Sequence, residues 1–109
     1  IKYNMKTITI QKSKQQGKRY KITMDGFPDM KSHSHNFGSK YGNTYIDERN
    51  DKEKKAWYAR HIGDKNFNNM HSSIYMSKNI LWGDSKNIIT NLKKLGNDLE
   101  SKIVIKGKL

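Results

Sequence analysis

The sequence contains no cysteine, so neither a disulfide framework nor a thiolate metal site can form, and thiol catalysis is excluded. That absence favours a reducing compartment. No apolar run approaches the roughly 18 residues that cross a bilayer, and the opening stretch, IKYNMKTITIQK, lacks the uninterrupted apolar centre of a signal peptide. The expectation is a soluble chain that is not exported by that route. Its initial Ile, with no Met before it, points to a fragment or a processed chain. Internal repeats, low-complexity tracts and linkers are missing as well, so division into domains has no support.

Acidic residues are scarce, and their distribution matters more than their number. Asp and Glu total 10 against 22 Lys and Arg, a formal charge of +12. Residues 1–24 hold seven bases and no acid, and residues 102–109 hold three bases and no acid. The stretch between them is nearly balanced. A surface of this kind displaces counterions from a polyanion, which gives affinity without sequence specificity. The plainer alternative is that net charge serves solubility alone.

Sequence motifs of catalysis are absent: no nucleophile elbow, no phosphate-cradling glycine loop, no paired-carboxylate signature and no histidine-glutamate metal helix. Asp47 and Glu48 are neighbours, hence on opposite faces of a strand. The expectation is a non-enzymatic protein with no cofactor, because no catalytic residue can be named.

What is present fits one domain of 109 residues, with a hydrophobic fraction of 33% that implies a thin core. Six Tyr, three Phe and two Trp supply the buriable area that disordered chains lack. Ile1, Tyr3 and Met5 share one parity and Ile8 and Ile10 the other, which suits a strand with a bulge near Lys6 and Thr7. Gln11–Gly17 reads as a hairpin loop, and Tyr20, Ile22 and Met24 alternate with Arg19, Lys21 and Thr23, whose basic side faces solvent. Asp25-Gly26 and Pro28-Asp29 mark a turn, a third extended stretch covers Met30–Phe37, and Thr44–Ile46 reads as a short fourth strand.

The period changes to helical from Asn50, where Asn50 and Glu53 form a capping pair and Gly63 suits a left-handed C-terminal cap. Trp57 with His61, and Tyr58 with Ile62, lie four apart, so this helix can press rings onto the sheet. A second helix is predicted over about Ser72–Trp82, with Ile74, Ser77, Ile80 and Leu81 inward and Gly83 as its stop. A third is capped by Asp84 or Ser85, carries Ile88, Leu92 and Leu95 at helical spacing and ends at Gly96. Lys102–Lys106 closes the fold as a strand, Ile103 and Ile105 on one face, pairing with the first or second strand. The predicted class is α+β: a small antiparallel sheet of about four to five strands, formed by residues 1–47 and the closing strand, packed against two or three helices from residues 50–96.

Candidate nucleic-acid contacts follow from charge and exposure: Lys12, Lys14, Lys18, Arg19, Lys21, Lys102 and Lys106 on the acid-free ends, Arg60 as a bidentate phosphate grip, and Tyr41, in a glycine-flanked loop, as a stacking residue. Trp57, Tyr58 and Trp82 sit at helical positions beside apolar residues and are assigned to the core. His33 and His35 share one side of an extended segment, and His61, His71 or a carboxylate offers a third ligand. Two ligands do not make a metal site, so none is assigned.

Gly17-Lys18-Arg19-Tyr20, Phe37-Gly38, Tyr45 before an acid, Tyr58 with Arg60-His61, and Leu81-Trp82 before a capped helix together resemble a group of short uncharacterised proteins encoded by large double-stranded DNA viruses. The likeness spans most of residues 17–95. It implies a viral setting, in the virion or the cytoplasm of an infected cell rather than secreted, and supplies no catalytic residues. In that setting a small basic domain coats or packages DNA, or else bridges larger capsid subunits as a minor capsid protein, its charge meeting their acidic surfaces. A small hydrolase or nuclease with scattered acids is the third and weakest alternative.

Overall fold

The computed structural model describes residues 6–28 and 33–109. Strands β1 (Thr7–Lys12), β2 (Lys18–Asp25) and β3 (His33–Ser39) are followed by a 3₁₀ turn at Tyr45–Asp47. Helix α1 (Asp51–His61) comes next, then α2 (Ser73–Met76), which runs directly into a wider π-type turn at Ser77–Leu81. Helix α3 (Ile88–Asp98) and strand β4 (Lys102–Ile105) close the chain. The fold is α+β. The expected bulge near Lys6 and Thr7 and the start of the third extended stretch rest on residues 1–5 and 30–32, outside the described residues.

The strands lie in the order β3-β2-β1-β4. The pairs β1/β2 and β2/β3 are antiparallel, whereas β4 runs parallel to β1, Thr7 opposite Lys102 and Ile10 opposite Ile105. The sheet is therefore mixed rather than wholly antiparallel. Its last strand arrives after a helical crossover, the connection that parallel neighbours require. Ile8, Ile10, Tyr20, Ile22, Met24 and Phe37 form the inward face and pack against Met76, Ile80, Leu81, Leu92 and Leu95, all buried. Period-2 alternation fixes this face, since a one-residue slip would turn every one of these side chains to solvent. Ile103 is half-buried, but Ile105, expected beside it, is exposed.

Thr44–Ile46 is not a strand. The Asp47 carboxylate accepts hydrogen bonds from the backbone N–H and the hydroxyl of Thr44, each at 2.9 Å, and this closes a capped turn in place of an extended segment. Asn50 caps α1 by accepting from the Glu53 N–H at 2.9 Å. The helix ends at Ile62 in right-handed conformation rather than at a left-handed Gly63. Nor does α1 lay its rings on the sheet. Trp57, its single buried residue, stacks on Trp82 at 5.4 Å between centroids, while Tyr58 donates to the Trp82 carbonyl and Lys54 to the Gly83 carbonyl. A helix polar on nearly every face has no apolar stripe to offer a sheet.

Asn87, not Asp84 or Ser85, caps α3, accepting from the N–H groups of Ile89 and Thr90. Gly96 lies inside that helix because β4 passes too close for a side chain: a Cβ there would sit 2.9 Å from both the Ser101 carbonyl oxygen and Ile103. The helix continues to Asp98.

Candidate polyanion interface

The parallel pairing of β4 with β1 decides where the chain's positive charge collects. It carries the last residues past the end of β1, with the Lys106 N–H donating to the Ile10 carbonyl at 2.9 Å, and brings Leu109 beside Tyr20. The two acid-free segments therefore meet at the end of the sheet that holds the Ser13–Gly17 hairpin loop. Lys12, Lys14 and Lys18 stand exposed around that loop, and Lys106 and Lys108 are exposed beside it. The register of β3 adds Lys40, whose N–H donates to the Gly17 carbonyl at 3.0 Å. Among the described residues no carboxylate forms an ion pair with any of these six lysines.

A cavity of about 430 Å³ opens there, lined by Lys12, Lys18 and Lys40 together with Tyr20, Asn43 and the paired Arg19 and Asp47. Arg19 contributes least free charge. Expected on a solvent-facing basic side, it is half-buried and grips both carboxylate oxygens of Asp47, the longer contact being 2.8 Å. The guanidinium holds the Asp47 carboxyl down to about 2, assisted by the Thr44 hydrogen bonds, and the Arg19 pKa is raised in turn by its bond to Asp47. The pair fastens the 3₁₀ turn to β2, a structural task that no spacing in the sequence reveals.

The remaining candidates divide. Lys21 lies midway along the open face of the sheet, opposite Gln11 and Asn36. Lys102 is exposed at the far end, where its partner Thr7 is flanked on β2 by Asp25, so it is separated from the hairpin cluster by the length of β1. Arg60 is exposed on α1 and lines a second groove of about 310 Å³ with Trp57, Trp82, Leu81, Gly42 and Asn43, whereas Tyr41 is not in its wall. Tyr41 is 79% exposed. Lys40 was not singled out in the sequence. Its signal was the hairpin register, which returns the residue after β3 to the start of β2.

His71, rather than His61, joins His33 and His35. The Nδ1 of His35 lies 3.1 Å from the Nε2 of His33, and the rings of His33 and His71 are 6.2 Å apart. His61 instead lies tilted against Trp57, with ring centroids 4.6 Å apart. Among the described residues no His, Asp and Glu group is arranged to hold a metal ion. Burial, followed by the charges of His33 and His71, lowers the pKa of His35 from its ordinary 6.5.

Both shifts predict acid lability, in separate ranges. The unfolded chain takes up the His35 proton first, so stability is unaffected above about pH 6.5 and falls as pH drops from there to the depressed folded value. The Asp47 contribution is intact above its unfolded 3.8 and is lost as pH falls through about 2. Urea midpoints measured against pH should show both declines, with His35→Gln flattening the upper one and Asp47→Asn the lower one. An unchanged upper limb in His35→Gln would exclude His35 as its source.

No helix among the described residues is long and apolar enough to cross a membrane. In comparisons with known proteins, the chain matches no family model, no curated protein and no solved structure.

Proposed function

We propose that this is a non-enzymatic basic protein that binds nucleic acid, or a polyanion of similar charge density, through the cationic end of its sheet. In the viral setting implied by its motifs, that role is coating or packaging DNA. The observation that carries the reading is the convergence of Lys12, Lys14, Lys18, Lys40 and Lys106 on one accessible end, without carboxylate partners among the described residues. Charge gathered in this way attracts phosphates at long range and gains by releasing their counterions. Bridging of capsid subunits draws less support. Among the described residues the exposed large aliphatics are few, Ile62 after α1, Ile89 on α3 and Ile105 on β4, and the last two are only about 40% exposed, less apolar surface than a docking patch needs.

The test is binding to random-sequence DNA across a salt series. With about five phosphate contacts, log affinity should fall against log salt with a slope of about −3 to −5. Failure to bind at about 50 mM salt would overturn the proposal, since screening is then weak. Recovery of the protein at fixed stoichiometry in DNA-free shells would favour capsid bridging instead.

A further inference from the structure

Two cavities of different chemistry meet along one short segment. The cationic cavity and the groove beside α1 share Gly42 and Asn43 in their walls. Tyr41, the residue before them, is the most exposed large hydrophobic residue described, at 79%. The chain's other described tyrosines have structural employment. Tyr20 is core, Tyr45 donates to Asp51, Tyr58 donates to the Trp82 carbonyl, and Tyr75 is half-buried beneath Lys78. Among the described residues Tyr41 makes no side-chain hydrogen bond or ring contact; its backbone N–H donates to the Ser39 hydroxyl at 3.2 Å. The indoles cannot substitute for it as stacking platforms, because Trp57 and Trp82 cover one another and are 8% and 7% exposed.

We propose that Tyr41 stacks on an unpaired nucleobase, making single-stranded nucleic acid the preferred polyanion of this protein. The proposal rests on the polyanion reading above and adds the choice of ligand. Phosphates flanking the stacked base lie on the Lys12, Lys18 and Lys40 side of the segment. On its other side the groove presents Asn43 and Arg60 to the edge of a neighbouring base. Its volume of about 310 Å³ is at the small end of ordinary ligand pockets. A duplex keeps its base faces stacked inside, so it can engage the lysines but not the tyrosine. A single strand can engage both.

Fluorescence anisotropy on the full chain tests this with four labelled probes. Oligothymidylate and oligouridylate of about 15 nucleotides cover one OB-sized binding site; a DNA duplex of the same length and heparin, a polyanion without bases, complete the set. At matched salt the single strands should bind more tightly than the duplex. Tyr41→Ala should weaken single-strand binding by about 5- to 150-fold, the range typical of a lost stacking contact. Its heparin affinity and salt slope should not change, and Tyr41→Phe should keep the single-strand affinity. Lys18→Gln with Lys40→Gln should weaken all four probes and reduce the single-strand slope by about 1.4. Equal losses on heparin and single strands in Tyr41→Ala, or no loss on either, would overturn the stacking role while leaving polyanion binding intact. Binding to none of the probes would overturn both readings.

Discussion

Asn91→Leu should lower the unfolding free energy by about 2–4 kcal/mol and the melting temperature by about 10–20 °C. The side chain is 2% exposed and makes three hydrogen bonds to backbone. Its amide nitrogen donates to the carbonyls of Ile80 at 3.0 Å and Ser85 at 2.7 Å, and its oxygen accepts from the Ser85 N–H at 2.9 Å. Together these bonds bind the end of the π-type turn, the Gly83–Ser85 connection and α3 into one unit. Leucine has a similar volume, so the loss arises from backbone groups stranded without partners rather than from a void. Water can relieve some of the loss near Ser85, which is half-buried, but not at Ile80, which is fully buried. Gly83 packs closely against this amide, since a Cβ there would lie 2.8 Å from the Asn91 side-chain carbon. Thermal and urea denaturation measure the effect. A change below about 0.5 kcal/mol, the range of an ordinary surface substitution, would show that the amide does not hold this connection.

Replacing Lys12, Lys14, Lys18 and Lys40 together with glutamine should weaken single-strand binding roughly a hundredfold at about 0.15 M salt and flatten the salt slope. All four are exposed, and none of their ammonium groups makes an ion pair or hydrogen bond among the described residues. The fold should therefore remain within about 1 kcal/mol of the parent. The informative control removes the same charge elsewhere: Lys52, Lys55, Lys65 and Lys93 are also exposed but lie on or after α1 and on α3. If the control variant loses as much affinity as the first, net charge rather than the clustered end governs binding.

The elements that could be read from the sequence are those set by local periodicity. Tyr20, Ile22 and Met24 mark the inward face of β2, Leu92 and Leu95 mark that of α3, and Asn50 caps α1 as its spacing to Glu53 implies. Interactions between distant residues were not readable. Thr44–Ile46 looks extended because threonine, tyrosine and isoleucine favour strands. It turns because Asp47 binds Thr44 locally and is held by Arg19 from 28 residues away. The same pairing removes Arg19 from the free cations, although its alternation with Tyr20 suggests a solvent-facing base. The apolar residues of β4 mark a strand but carry no direction, and its parallel placement is what separates Lys102 from the hairpin cluster. Tyr41 was legible because two flanking glycines and a polar loop make exposure the simplest outcome.

The β1–β4 ladder joins residues separated by almost the whole chain, Thr7 to Lys102. Contacts so far apart in sequence form late, after the intervening hairpin and α3 have shortened the loop to be closed. Until the final strand docks, Lys106 and Lys108 remain apart from Lys12, Lys14, Lys18 and Lys40, which the β1–β2–β3 hairpins bring together by themselves. Docking of β4 thus completes a cationic end that the two hairpins have already begun, and fraying of that strand would withdraw two of its six lysines.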